Sequence, residues 1–173
     1  MGKDVVLVKD KVVVADQAKA SKIFNKGQFG AFSDGKLELS LEEALYLMEK
    51  KELDVWDRAG RKLSLSGFIK IAEKKQKRFW VRYSVFKNLR SSGYILKTAF
   101  KYGGDFRVYE KGAKPGEEHA AWILYAVDEH ESIPFLTFAA INRVAHSVKK
   151  KLMLGIVDDE GSVTYYEINW VKF

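Results

Sequence analysis

Two short apolar runs open the chain, Val5-Val6-Leu7-Val8 and Val12-Val13-Val14, with Lys9-Asp10-Lys11 between them. β-Branched runs around a polar gap predict a hairpin. Asp16 is placed to cap a short helix through Ala20 toward Phe24, and Gly27, Gly30 and Gly35 mark a loop region after it. The clearest helix runs from Ser40 to Lys50. Leu41, Ala44, Leu45 and Met48 recur there at helical spacing, and Ser40 with Glu43 forms a capping box. Asp54-Val55-Trp56 reads as a short strand. A further helix begins near Ser64 or Ser66 and carries Phe68, Ile69 and Ala72.

The charged stretch Glu73-Lys74-Lys75-Gln76-Lys77-Arg78 interrupts the apolar pattern. A solvated helix face explains it, and it is the best place for a domain boundary. Beyond it Phe79, Tyr83, Val85, Phe86 and Leu89 stripe a helix that ends before Gly93. Tyr94 to Phe100, Phe106 to Tyr109 and Ala120 to Val127 read as strands, with Gly103-Gly104 as a turn and Gly112 to Gly116 as a loop. Phe135 to Val148 reads as a helix with Phe138, Ile141, Ala145 and Val148 on one side. Leu152 to Val157 and Val163 to Val171 flank the acidic turn Asp158-Asp159-Glu160-Gly161 and predict a C-terminal hairpin. The expected fold is α+β: a small N-terminal α/β domain over residues 1–78 and a C-terminal mixed α/β domain over residues 79–173.

Composition narrows the chemistry. The 173 residues are 47% hydrophobic and 31% charged, which is the balance of a folded chain. Net charge is +7, which suits a polyanionic partner and equally suits plain solubility. With no cysteine, disulfides, thiolate catalysis and Cys-based zinc sites are excluded. No apolar run reaches the roughly 18 residues of a membrane span. The start Met1-Gly2-Lys3-Asp4 lacks a signal-peptide core, so the expected location is cytoplasmic, with no membrane partner.

The candidate chemistry lies in the second half. Tyr109, at a predicted strand end, and His119, at the start of the next strand, share one loop edge. Arg143 and Lys150 fall on one face if the helix continues that far, with His146 between them. A phenol, an imidazole and an ammonium suit cleavage of an RNA phosphodiester by its own 2′-hydroxyl: one group takes a proton, one gives a proton, one faces the charged phosphorane. Singly each has a duller explanation, as packing, as a structural His or as the basic end of a helix, and spacing does not choose among Lys149, Lys150 and Lys151. A magnesium nuclease would draw on Asp105, Glu110, Glu117 and Glu118, whose spacing forms no motif.

The segments Tyr94-Ile95-Leu96-Lys97-Thr98, Lys101 through Tyr109, and Arg143-Val144-Ala145-His146-Ser147-Val148-Lys149-Lys150-Lys151 resemble the archaeal tRNA-splicing endonuclease family. The helix with Leu45 and Tyr46 and the ending Tyr165-Tyr166 through Val171-Lys172 fit as well. The resemblance implies a metal-independent RNA endonuclease, needing no cofactor, that cuts precursor tRNA at bulge–helix–bulge motifs. It would leave 2′,3′-cyclic phosphate and 5′-hydroxyl ends. It assigns the catalytic roles to Tyr109, His119 and Lys150. Arg143 matches an arginine that stacks on a bulged base. The position of a second such arginine holds Trp170, which can stack on a base or pack on a dimer seam. Asp128, Glu129 and Glu131 match an acidic loop that inserts into a basic cleft of another subunit, implying a homotetramer or a heterotetramer with a second subunit. Non-catalytic RNA-binding and assembly subunits share the fold, and the Tyr/His/Lys trio argues against that alternative.

Overall fold

The computed structural model describes residues 4–171 and 173; Met1, Gly2, Lys3 and Lys172, named above, lie outside the described residues. The chain divides into two compact units, Met1–Phe79 and Trp80–Phe173.

The first unit contains β1 (Val5–Val8), β2 (Lys11–Val14), α1 (Gln17–Gly27), β3 (Ala31–Ser33), β4 (Lys36–Ser40), α2 (Leu41–Glu49) and α3 (Leu65–Lys75). The strands form an antiparallel sheet in the order β1-β2-β4-β3. Alternation buries Val5, Leu7, Val12, Val14, Leu37 and Leu39. Asp16 caps α1 through the Lys19 amide, and Ser64 caps α3 through the Gly67 amide. The capping box at Ser40 and Glu43 is present, and the Glu43 carboxylate also accepts the Gly30 amide at 2.8 Å. One side chain thus ties the helix start to the preceding loop. Gly30 is required there, because a Cβ would stand 2.6 Å from the Glu38 carbonyl oxygen.

The β3–β4 hairpin replaces the expected loop. Its turn is Asp34-Gly35, both with positive φ, the pairing that a two-residue hairpin favours. All of β3 is exposed, so it carries no apolar alternation to read. The expected strand at Asp54-Val55-Trp56 is reduced to isolated bridges of Trp56 with Val6 and Lys62.

The second unit contains α4 (Phe79–Ser91, starting at the boundary), β5 (Ile95–Thr98), a 3₁₀ turn (Phe100–Tyr102), β6 (Phe106–Tyr109), β7 (Trp122–Asp128), α5 (Phe135–Ser147), β8 (Lys151–Val157) and β9 (Val163–Ile168). The sheet order is β5-β6-β7-β8-β9, antiparallel except between β7 and β8. A parallel pair needs a crossover, and α5 supplies it. Phe138, Ile141 and Val148 pack against Ile123, Ala145 and Leu152, which fixes α5 on one sheet face. Phe106 points to the other face, where it meets Phe86 of α4 at 5.7 Å. That face also holds an ion pair: Arg82 Nη1 donates to Asp105 Oδ1 at 2.7 Å, both side chains less than a tenth exposed. Phe100 and Phe106 each lie 4.8 Å from the Arg82 guanidinium carbon.

Candidate active site

Strand register brings the distant segments together. Val108 pairs with Trp122, and Trp122 pairs with Lys151. The Ala121 amide donates to the Val108 carbonyl at 2.9 Å, and the Lys151 amide donates to the Ala121 carbonyl at 3.1 Å. One step outward along each strand end, Tyr109, Ala121 and Lys150 form a row across three neighbouring strand ends. Two strand spacings set the backbones of Tyr109 and Lys150 about 10 Å apart, with the small Ala121 between them. Alternation puts Tyr109 on the face of Arg107 and Ile123, the face that carries α5.

Lys150 is not on the helix, as a longer α5 would have required. The helix ends at Ser147, and Lys149 adopts φ 56°, the left-handed conformation that commonly closes a helix. The Lys149 amide donates to the His146 carbonyl and the Lys150 amide to the Ala145 carbonyl, both at 2.9 Å, which completes a Schellman motif. Three successive lysines therefore differ in place: Lys149 makes the turn, Lys150 stands in the row, and Lys151 starts β8. Lys151 Nζ is bound to Glu167 Oε1 at 2.9 Å.

An open cleft of about 530 Å³ lies at this edge, lined by Glu110, Ala121, Trp122, His146, Lys149, Lys150 and Lys151. Of the expected trio, Lys150 lines it; Tyr109 and His119 do not. Tyr109 is 5% exposed and packs with Ile95, Ala113 and Ala120. The returning loop thus lays Ala120 against Tyr109, and His119 is the residue before Ala120. His119 itself is exposed and sits in that loop three residues before β7, not at a strand start.

Arg143 is exposed on α5, one helical turn before His146. The His146 ring contacts the Trp170 indole edge-on at 4.2 Å between centroids, and Trp170 is 56% exposed. Sequence reasoning noted Arg143 and Trp170 but missed this contact, and it gave Trp122 and Glu110 no place in the cleft. Register between β6, β7 and β8, which no local pattern encodes, is what puts them there.

The carboxylates weighed for a magnesium site are dispersed. Asp105 is engaged with Arg82 in the core, Glu118 accepts the Lys114 amide at 3.0 Å, and Glu110 lines the cleft. Another phenol of this unit, Tyr165, donates to Asn88 Oδ1 at 3.0 Å, and burial pushes its pKa up, so it stays protonated.

The acidic turn lies at the opposite end of β7 and β8. The Glu129 amide donates to the Val157 carbonyl, and Glu129 Oε1 accepts the Asp159 amide, each at 2.9 Å. The turn around Asp128, Glu129 and Glu131 is thereby joined to Asp158-Asp159-Glu160, giving one acidic pole. Among the described residues, Glu129, His130 and Asp159 bring their ligand atoms within 4.8 Å of one another, all exposed. The Asp159 carboxylate, 3.1 Å from His130 Nε2, together with Glu129 and Asp128, raises the His130 pKa. A raised folded-state value stabilises the fold fully below the unfolded pKa of about 6.5, and the contribution fades as pH rises through the folded value. Asp159→Asn is expected to lower the His130 pKa, read from its ring-proton NMR titration. An unchanged titration midpoint would remove Asp159 as the cause.

Residues 79–165 match the tRNA intron endonuclease catalytic C-terminal domain, and residues 4–69 match the tRNA intron endonuclease N-terminal domain. The chain is 40% identical over 164 residues to a tRNA-splicing endonuclease of Thermococcus kodakarensis, with 95% of each chain covered. It is 36% identical over 172 residues to one of Methanothermobacter thermautotrophicus, covering 99% of this chain and 96% of that one. To one of Nanoarchaeum equitans it is 45% identical over 141 residues, 78% of this chain and 90% of that one.

Proposed function

The chain belongs to the tRNA intron endonuclease family, and from that membership we propose that it excises introns from precursor tRNA at bulge–helix–bulge motifs, without a metal ion, through Tyr109, His119 and Lys150. The observation that carries the reading is the Tyr109–Ala121–Lys150 row, which sets a phenol and an ammonium on either side of a small residue beside a basic cleft.

In this reading the RNA 2′-hydroxyl attacks the adjacent phosphorus and gives its proton to the Tyr109 oxygen. The bond from phosphorus to the 5′-oxygen breaks, and His119 donates the proton that makes the leaving group a 5′-hydroxyl. The other product end is a 2′,3′-cyclic phosphate. Lys150 faces the phosphorane as its charge develops. Arg143 and Trp170 bind the bulged nucleotides, with His146 holding the Trp170 ring by its edge. Asp128, Glu129 and Glu131 dock the acidic pole on another subunit in a tetramer, of one kind of chain or of two. No helix of the described residues is long and apolar enough to cross a membrane.

The purified chain is expected to cleave a bulge–helix–bulge RNA in EDTA and to leave those two ends. His119→Ala should lower the single-turnover rate by about 10²–10⁴-fold with RNA affinity little changed. Cleavage that requires added magnesium, or ends carrying a 5′-phosphate, would overturn the mechanism. Activity that appears only with a second subunit would select the two-chain tetramer.

A further inference from the structure

We propose that Trp122 is a nucleobase-stacking residue of the cleft, holding the base of a nucleotide next to the scissile phosphate; this rests on the function proposed above. Trp122 lines the cleft together with Lys149, Lys150 and Lys151. On the same strand and the same face, Leu124 and Ala126 are fully buried, whereas Trp122 at the strand's start is partly exposed. It follows Ala121 directly, so its backbone is one residue from the Tyr109–Ala121–Lys150 row, while its side chain leaves the opposite face of the sheet at the cleft's edge. An indole at that place presents an apolar surface to whatever occupies the cleft.

The ring is also held by two specific contacts. Trp122 Nε1 donates to Glu167 Oε2 at 2.8 Å. The Tyr94 ring meets the indole edge-on, 6.3 Å between centroids at 78°. A planar group clamped at its N–H and at a ring edge is held ready for a ligand and loses little freedom on binding one. The anchoring carboxylate does not repel RNA by itself, since Lys151 Nζ lies 2.9 Å from its other oxygen. Lys111 Nζ stands 5.1 Å from the Tyr94 ring centre and carries positive charge onto the same side. Aromatic rings interleaved with lysines are the pattern of a single-strand nucleic-acid platform, in which stacking acts on any base. Bulged nucleotides are unpaired and offer such faces.

The test uses a bulge–helix–bulge RNA with 2′-deoxynucleotides at the cleavage sites, so that binding is read without reaction. Affinity is measured for the wild type, Trp122→Ala and Trp122→Leu, the leucine filling volume without an aromatic face. Each is tested against intact RNA and against RNAs made abasic at one nucleotide flanking the cut. Both variants should bind intact RNA about 5- to 150-fold more weakly. Removing one particular base should weaken the wild type by a similar factor and the variants no further. Equal abasic penalties in all three proteins at every flanking nucleotide would overturn the stacking role, whatever the variants do to stability. A wild type that fails to cleave the all-ribose RNA, alone or with a partner subunit, would overturn the functional reading and this proposal with it. Cleavage with additive penalties would remove Trp122 alone.

Discussion

Tyr109→Phe is expected to slow single-turnover cleavage by about 10²–10⁴-fold, the range for removing an acid–base group, while thermal unfolding and RNA affinity stay near wild type. The substitution is chosen from the site's geometry. Tyr109 is 5% exposed and its ring packs against Ile95, Ala113 and Ala120. Alanine would open a cavity there and confuse loss of chemistry with loss of fold. Phenylalanine keeps the ring and deletes only the oxygen. Because the oxygen is proposed to act in proton transfer, the loss should fall on the chemical step and leave binding alone. A Tyr109→Phe enzyme within threefold of wild type would remove the phenol from the reaction and leave the row to Lys150.

Asp105→Ala should destabilise the second unit by about 3–5 kcal/mol, the cost of leaving a buried charge without its partner. The Arg82 side chain is 4% exposed, so it cannot turn to water without repacking Phe100 and Phe106 around it. Asp105 also accepts the Ala126 amide at 2.8 Å, so the same deletion strips an acceptor from β7. Urea unfolding of the wild type, Asp105→Ala and the double variant Arg82→Met/Asp105→Leu separates the terms. The double variant should recover much of the loss, because it removes both charges together. A single variant as stable as the wild type would show that the pair is solvated in practice.

The contrast between these two residues shows what the sequence could disclose. Helix starts were legible where one side chain carries the signal: Asp16, Ser40 and Ser64 each cap the helix that follows. Strands were legible where one face is buried, as in Phe106 to Tyr109. The β3–β4 hairpin was not, because β3 buries nothing and only Asp34-Gly35 announces it. Asp105 was weighed as a metal ligand, yet its partner Arg82 lies 23 positions away on another element, a pairing that spacing does not encode. The row at the cleft depends on β7 and β8 being parallel, and the sequence shows that only through the helix between them. Resemblance singled out Lys150 among the three lysines, and the helix face it would have shared with Arg143 is lost because α5 ends at Ser147. The left-handed Lys149 is what separates them, in a residue type that gives no warning of that conformation.

The parallel pairing of β7 and β8 has an electrical consequence. Both strands start at the lysine-lined cleft and end at the acidic pole. Six residue steps along them span about 20 Å, while the screening length at physiological salt is about 8 Å. The two ends are therefore separate electrostatic compartments. A polyanion seated at one does little to the ionisation of the other, and salt added to loosen one contact weakens both without coupling them. Any coupling between ligands held at the two ends would then travel as mechanical displacement along the strands.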